Sequence, residues 1–111
     1  MNSSADPHRI DISLHQLPAD QIIEGQPSTG AVDLPGPTGL ALGVWEHTPG
    51  TSTDVEADEV FVVVSGRATV VLPDGERLDF GPGDIGTLDA GTPTTWIVHE
   101  TLRKVYVLAD S

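Results

Sequence analysis

A chain of 111 residues suits one domain, which at this size buries roughly two-thirds of the surface its unfolded form exposes. It has no cysteine, which excludes disulfides, thiolate metal sites and cysteine nucleophiles. With 17 Asp and Glu against 5 Lys and Arg, the net charge of −12 argues against nucleic acid and anionic membrane surfaces as partners, since binding phosphate needs clustered basic side chains.

Residues 1–9 are polar, with no signal-peptide core, and residues 1–7 read as a frayed start. No apolar run approaches the ~18 residues of a membrane span, so a cytoplasmic location is the default expectation. Residues 9–17 alternate Ile10, Ile12 and Leu14 with polar neighbours, the pattern of a half-buried strand, and residues 21–24 offer a second short one. Residues 25–37, rich in Gly and Pro, read as an extended loop, so residues 1–37 form an N-terminal arm with one or two strands.

From Thr38 to the end of the chain the pattern tightens into a barrel segment, residues 38–111, within the one domain. Residues 40–47 read as a strand stopped by Thr48-Pro49-Gly50. Residues 59–64 are β-branched and apolar on both faces, so this strand is expected to be covered on both sides. Gly66 permits a turn into residues 67–72, and Pro73-Asp74-Gly75-Glu76 signals a hairpin returning through residues 77–80. Strands over 85–88, 94–99 and 102–108 complete an all-β chain. Eight or more short strands at intervals of about ten residues predict a closed barrel or sandwich.

Two segments carry a family resemblance. Glu59-Val60-Phe61-Val62-Val63-Val64-Ser65-Gly66 resembles the end of the first cupin motif, a Glu, six residues, then Gly. Phe80-Gly81-Pro82-Gly83-Asp84 with Asp89-Ala90-Gly91-Thr92-Pro93 resembles the second. The segment from Gly43 to Gly50 and Arg103-Lys104-Val105-Tyr106-Val107 narrow the likeness to small cupins that include (S)-ureidoglycine aminohydrolase-like and ethanolamine-utilisation proteins. The resemblance covers residues 38–108 and implies a double-stranded β-helix, the jelly-roll barrel, with a central pocket and a homodimeric assembly. The Ile10-Ile12-Leu14 strand would then pair with the partner's sheet and cover an edge.

Metal-holding cupins use two histidines and a Glu from the first motif and one histidine from the second. The resemblance places these ligands on Thr53, Val55, Glu59 and Thr94, of which only Glu59 binds ions strongly. Either no cofactor is expected, or a divalent ion weakly held by Glu59 with Asp54 and His47. His47 shares a strand face with Trp45 and Gly43 and is either an inward ligand or a histidine bonding a local partner. His99 has opposite parity to Thr94, Trp96 and Val98, so it faces out if those face in. Asp54, Glu56 and Asp58 read as a solvated acidic loop.

Glu59, in an otherwise apolar strand, is either a desolvated carboxyl suited to acid–base work or a solvated group at the barrel mouth. The expected pocket residues are Trp45, His47, Asp54, Glu59, Phe61, Thr94, Trp96 and Tyr106, the aromatics serving as core or as pocket wall. Three functions follow: a module binding a small polar metabolite, a hydrolase- or isomerase-type enzyme using Glu59 with or without a metal, or a scaffold filled by its own side chains.

Overall fold

Two long bent strands organise the molecule. The structure, a computed structural model, describes residues 2–109. Met1, at the head of the expected frayed start, and residues 110–111, at the end of the expected barrel segment, lie outside the described residues. The elements in chain order are β1 (His15–Gln16), a 3-10 turn (Ala19–Gln21), β2 (Ile22–Glu24), β3 (Ser28–Leu34) and β4 (Leu40–His47), followed by β5 (Gly50–Val55), β6 (Glu59–Val71), β7 (Arg77–Phe80), β8 (Ile85–Leu88) and β9 (Pro93–Ala109).

β6 and β9 pair antiparallel from Glu59↔Leu108 to Val71↔Thr95, with the register breaking between Val63 and Ala68. At this break Gly66 has φ +86°, and a Cβ there would lie 2.0 Å from the Thr101 carbonyl oxygen, so only glycine lets the two strands bend together. The strand breaks expected at Gly66 and after His99 are absent: residues 59–71 and 93–109 each form one continuous bent strand.

The bend divides the ladder into two faces. On one, β9 from Leu102 onward joins β4, β3 and β1, while the first part of β6 joins β8. On the other, β9 up to Val98 joins β5 and β2, while the last part of β6 joins β7. The faces close on each other: Trp45 of β4 meets Trp96 of β9 at 5.5 Å between ring centroids, and Phe61 of β6 meets Phe80 of β7 at 5.1 Å. Phe61, Val63, Ala68, Val70, Val98 and Leu102 fill the space between, each at most 3% exposed. The result is the all-β jelly-roll barrel expected from the strand spacing and the motifs.

The N-terminal third departs from its reading. Residues 28–34, expected as loop, form β3, which pairs with β4 from Thr29↔His47 to Leu34↔Leu42. Only His15–Gln16 of the expected 9–17 strand is a strand, and it pairs with β3 of its own chain. The preceding segment lies across the same face: the Arg103 guanidinium, bonded to Glu46 at 2.6 Å, also donates to the carbonyls of Pro7 (3.0 Å) and Ile10 (2.8 Å). The arm is thus bound to the sheet of its own chain. Residues 59–64 are covered on one side only. Phe61 and Val63 are buried, whereas Val60 and Val62 are 48% and 38% exposed. No helix among the described residues is long and apolar enough to cross a membrane.

Candidate functional site

A cavity of about 330 Å³ opens between the two faces. Its walls alternate aromatic and polar groups: Trp45, Trp96 and Tyr106 against Glu59, Lys104, His47, Asp54 and Glu56. Strand parity explains the assembly. Gly43, Trp45 and His47 share the inner face of β4, and Leu102, Lys104 and Tyr106 share that of β9. Gly43 makes room for its cross-strand neighbour Tyr106, since a Cβ there would lie 2.5 Å from the Tyr106 hydroxyl.

Lys104 lies at the centre. Its Nζ is 2.6 Å from Glu59 Oε2, with the two side chains 7% and 8% exposed. The ammonium also faces the rings of Trp45, Phe61 and Trp96 at 4.6, 4.5 and 4.6 Å from their centroids. Each aromatic face attracts a cation, the more so away from water. Burial pushes the Glu59 carboxyl above its ordinary range, while the ammonium beside it pulls the other way.

Glu56, in the loop between β5 and β6, is buried, and its Oε2 accepts hydrogen bonds from Thr94 Oγ1 (2.5 Å) and Trp96 Nε1 (3.0 Å). Its backbone bonds to the turn at residues 91–92, folding the loop across this end of the barrel. Glu56 therefore leaves the solvated loop to which the sequence reading assigned it. Asp54 remains exposed at the cavity mouth, its carboxyl raised by partial burial and by the charge of Glu56.

His47 is 1% exposed and bonded at both ring nitrogens. Nδ1 lies 2.6 Å from the Thr48 carbonyl, which can only accept, so Nδ1 carries the proton and Nε2 accepts from Ser52 Oγ at 2.9 Å. Burial lowers its pKa, which favours the neutral ring. Tyr106 donates to Asp33 at 3.0 Å, and burial together with that bond raises its pKa to about 12.

Of the eight expected pocket residues, Trp45, His47, Asp54, Glu59, Trp96 and Tyr106 line the cavity. Phe61 lies beneath it at 1% exposure, and Thr94 stands behind the wall with its hydroxyl on Glu56. Lys104 and Glu56 were not expected there. Lys104 could have been found from its parity with Leu102 and Tyr106; Glu56, on a loop, carries no periodic signal. A divalent ion does not fit. Val55 is 66% exposed, the Thr94 hydroxyl is engaged, and Glu59 already holds an ammonium. Among the described residues no three of His, Asp and Glu converge as ligands, so Glu59, Asp54 and His47 do not form the set considered from the sequence.

A closed double sheet with a central cavity and this pair of turn motifs defines a cupin. Residues 38–106 match the family described as the EutQ-like cupin domain, and the chain belongs to that family. Among solved structures it is similar to the EutQ protein of Clostridium difficile, with TM-score 0.69 and 20% identity over 76% of this chain and 69% of that one. It is also similar to a putative ethanolamine utilization protein Q from Salmonella typhimurium, with TM-score 0.68 and 17% identity over 92% of this chain and 98% of that one. Ectoine synthase from P. lautus gives TM-score 0.66 and 19% identity, over 74% of this chain and 64% of that one. At these identities the likeness concerns the fold. No curated protein matches the chain.

Proposed function

We propose that this cupin binds a small polar metabolite in its central cavity without a metal ion. The carrying observation is the cavity itself: aromatic walls at Trp45, Trp96 and Tyr106 with polar groups at Glu59, Lys104, Asp54 and Glu56 converging on one space. Ligand sites combine these features, apolar surface for affinity and few polar groups for orientation. The chain's two tryptophans both line the cavity, so intrinsic fluorescence reports directly on occupancy. In a thermal-shift screen of small amines, ureides, amino acids and carboxylates, a true ligand raises Tm and changes tryptophan emission, and Trp45→Ala weakens it. A screen in which no compound does both, or a Trp45→Ala variant that folds and binds unchanged, overturns the reading.

An enzyme using Glu59 as acid or base is the second reading, favoured by the burial that raises this carboxyl. Turnover of a bound metabolite that Glu59→Gln abolishes without loss of binding would select it.

The proposed assembly is a homodimer through the outer face of β6 and β8. Val60, Val62 and Ile85 are 48%, 38% and 68% exposed there, and Val62 and Ile85 are cross-strand neighbours. Light scattering should give twice the chain mass, reverting to the monomer in Val62→Asp; a monomeric wild type removes the proposal.

A further inference from the structure

The cupin resemblance places metal ligands on Thr53, Val55, Glu59 and Thr94, and of these only Glu59 has a side chain able to bind an ion strongly. In its fold context that carboxylate is already neutralised. Lys104 Nζ approaches it to 2.6 Å, at 7% exposure, inside three aromatic rings whose centroids lie 4.5–4.6 Å away. His47 is bonded at both nitrogens, the Thr94 hydroxyl and the Trp96 indole are on Glu56 Oε2, and Asp54, exposed, accepts from the Val55 N–H, so these groups do not converge with Glu59 as a ligand set. A carboxylate among apolar side chains requires a counter-charge. Here the cation is tethered to the chain and cannot be chelated or diluted away.

We infer that the Lys104 ammonium is the resident cation of this barrel, taking against Glu59 the place that a divalent ion takes in metal-holding cupins. Positive charge in the cavity then comes from N–H donors rather than from a Lewis acid. The ammonium has three N–H groups, one of which goes to Glu59, and the side chain lines the cavity. The ligand group it suits is a carbonyl or carboxylate oxygen, the acceptor that a metal ion would otherwise bind. This last step alone depends on the cavity being a ligand site; the cation assignment does not.

The test uses the protein as it stands. Lys104 is the chain's single lysine, so selective ¹⁵N-lysine labelling gives one side-chain NMR signal, with no assignment needed. The expected result is a slowly exchanging ammonium resonance that shifts in Glu59→Gln and is not broadened by equimolar Mn²⁺. Metal analysis of protein purified without a histidine tag is expected to give substoichiometric transition metal. In Lys104→Ala, propylammonium, which replaces the deleted atoms, should raise Tm by several degrees more than in wild type, an effect lost when Glu59→Gln is added. Near-stoichiometric metal that Glu59→Gln abolishes overturns the inference. So does broadening of the Lys104 signal by Mn²⁺, or an equal propylammonium response in wild type and variant. Should Lys104→Ala fail to fold, the wild-type resonance and metal content decide. A ligand screen without hits would count against the binding proposal and leave these readouts unaffected.

Discussion

Lys104 and Glu59 form an ion pair lengthwise along the barrel interior. Lys104 sits opposite Val63 on the β6–β9 ladder and Glu59 opposite Leu108, so the lysine stem runs past the aromatic rings to reach its partner. Buried pairs of this kind cost desolvation on both sides, and removing one partner strands the other. Lys104→Met and Glu59→Gln should each lower the unfolding free energy by about 3–5 kcal/mol. The double variant should lose less than the sum, measured by urea denaturation as a double-mutant cycle. Additive losses would mean that the pair is not coupled.

Glu56 holds the end of the barrel through side chains of β9. Glu56→Ala leaves the Trp96 indole N–H and the Thr94 hydroxyl without their shared acceptor, at a cost of about 1–3 kcal/mol per stranded group. Hydrogen exchange at the Trp96 indole should accelerate in the variant while the Trp45 indole, which does not bond to Glu56, keeps its wild-type rate. Equal acceleration at both would indicate general loosening.

Tyr106 is the chain's single tyrosine, so near-ultraviolet absorbance titrates it alone. Burial first, then the bond to Asp33, raises its pKa to about 12. The phenol should therefore ionise near that value, and Asp33→Asn should lower the midpoint toward the ordinary 10.0. A wild-type midpoint at the ordinary value would show that the phenol is neither buried nor bonded to Asp33 in solution, and an Asp33→Asn midpoint equal to wild type would show that the bond is absent.

Two opposing pH effects converge on the cavity. Glu59 and Asp54 have folded-state pKa values raised above 4.5 and 3.8. Their contribution is complete below those ordinary values and is lost as pH rises through the folded values. His47 is lowered from 6.5, so its contribution is present above that value and is lost as pH falls through the folded value. Stability measured from acid to neutral pH should lose its acid-side decline in part in His47→Gln. Its decline as pH rises above the ordinary carboxylate range should flatten in Glu59→Gln. An unchanged acid limb in His47→Gln would mean that the imidazole is protonated in the folded state.

The strands that build the core were legible because apolar alternation survives in them: residues 40–47, 77–80 and 85–88 match β4, β7 and β8 closely. Two strands were hidden for a physical reason. β5 reads Gly-Thr-Ser-Thr-Asp-Val because its inner face meets a polar cavity and the His47 ring, so Ser52 is buried where a core strand would carry valine. β3 is short of large apolar residues because the N-terminal arm presses on it; a Cβ at Gly30 would lie 2.1 Å from the Ser13 carbonyl oxygen. Lys104 was obscured by its charge, which in a count of basic residues reads as surface. Its two neighbours of the same parity, Leu102 and Tyr106, already marked its direction.

The placement of β9 bears on how the chain comes to fold during synthesis. β9 pairs with β4, β5 and β6, including the contact from Leu40 to Ala109. A polypeptide emerging from the ribosome thus carries all the other strands before it has the one that joins them. β5 lacks its β9 partner until residues 93–98 have been made, and β4 lacks its own until residues 102–109 have been made. Such distant pairings are slow to form and leave edges exposed meanwhile. Closure of the barrel thus waits on β9, and the net charge of −12 favours solubility of the chain in that interval by mutual repulsion.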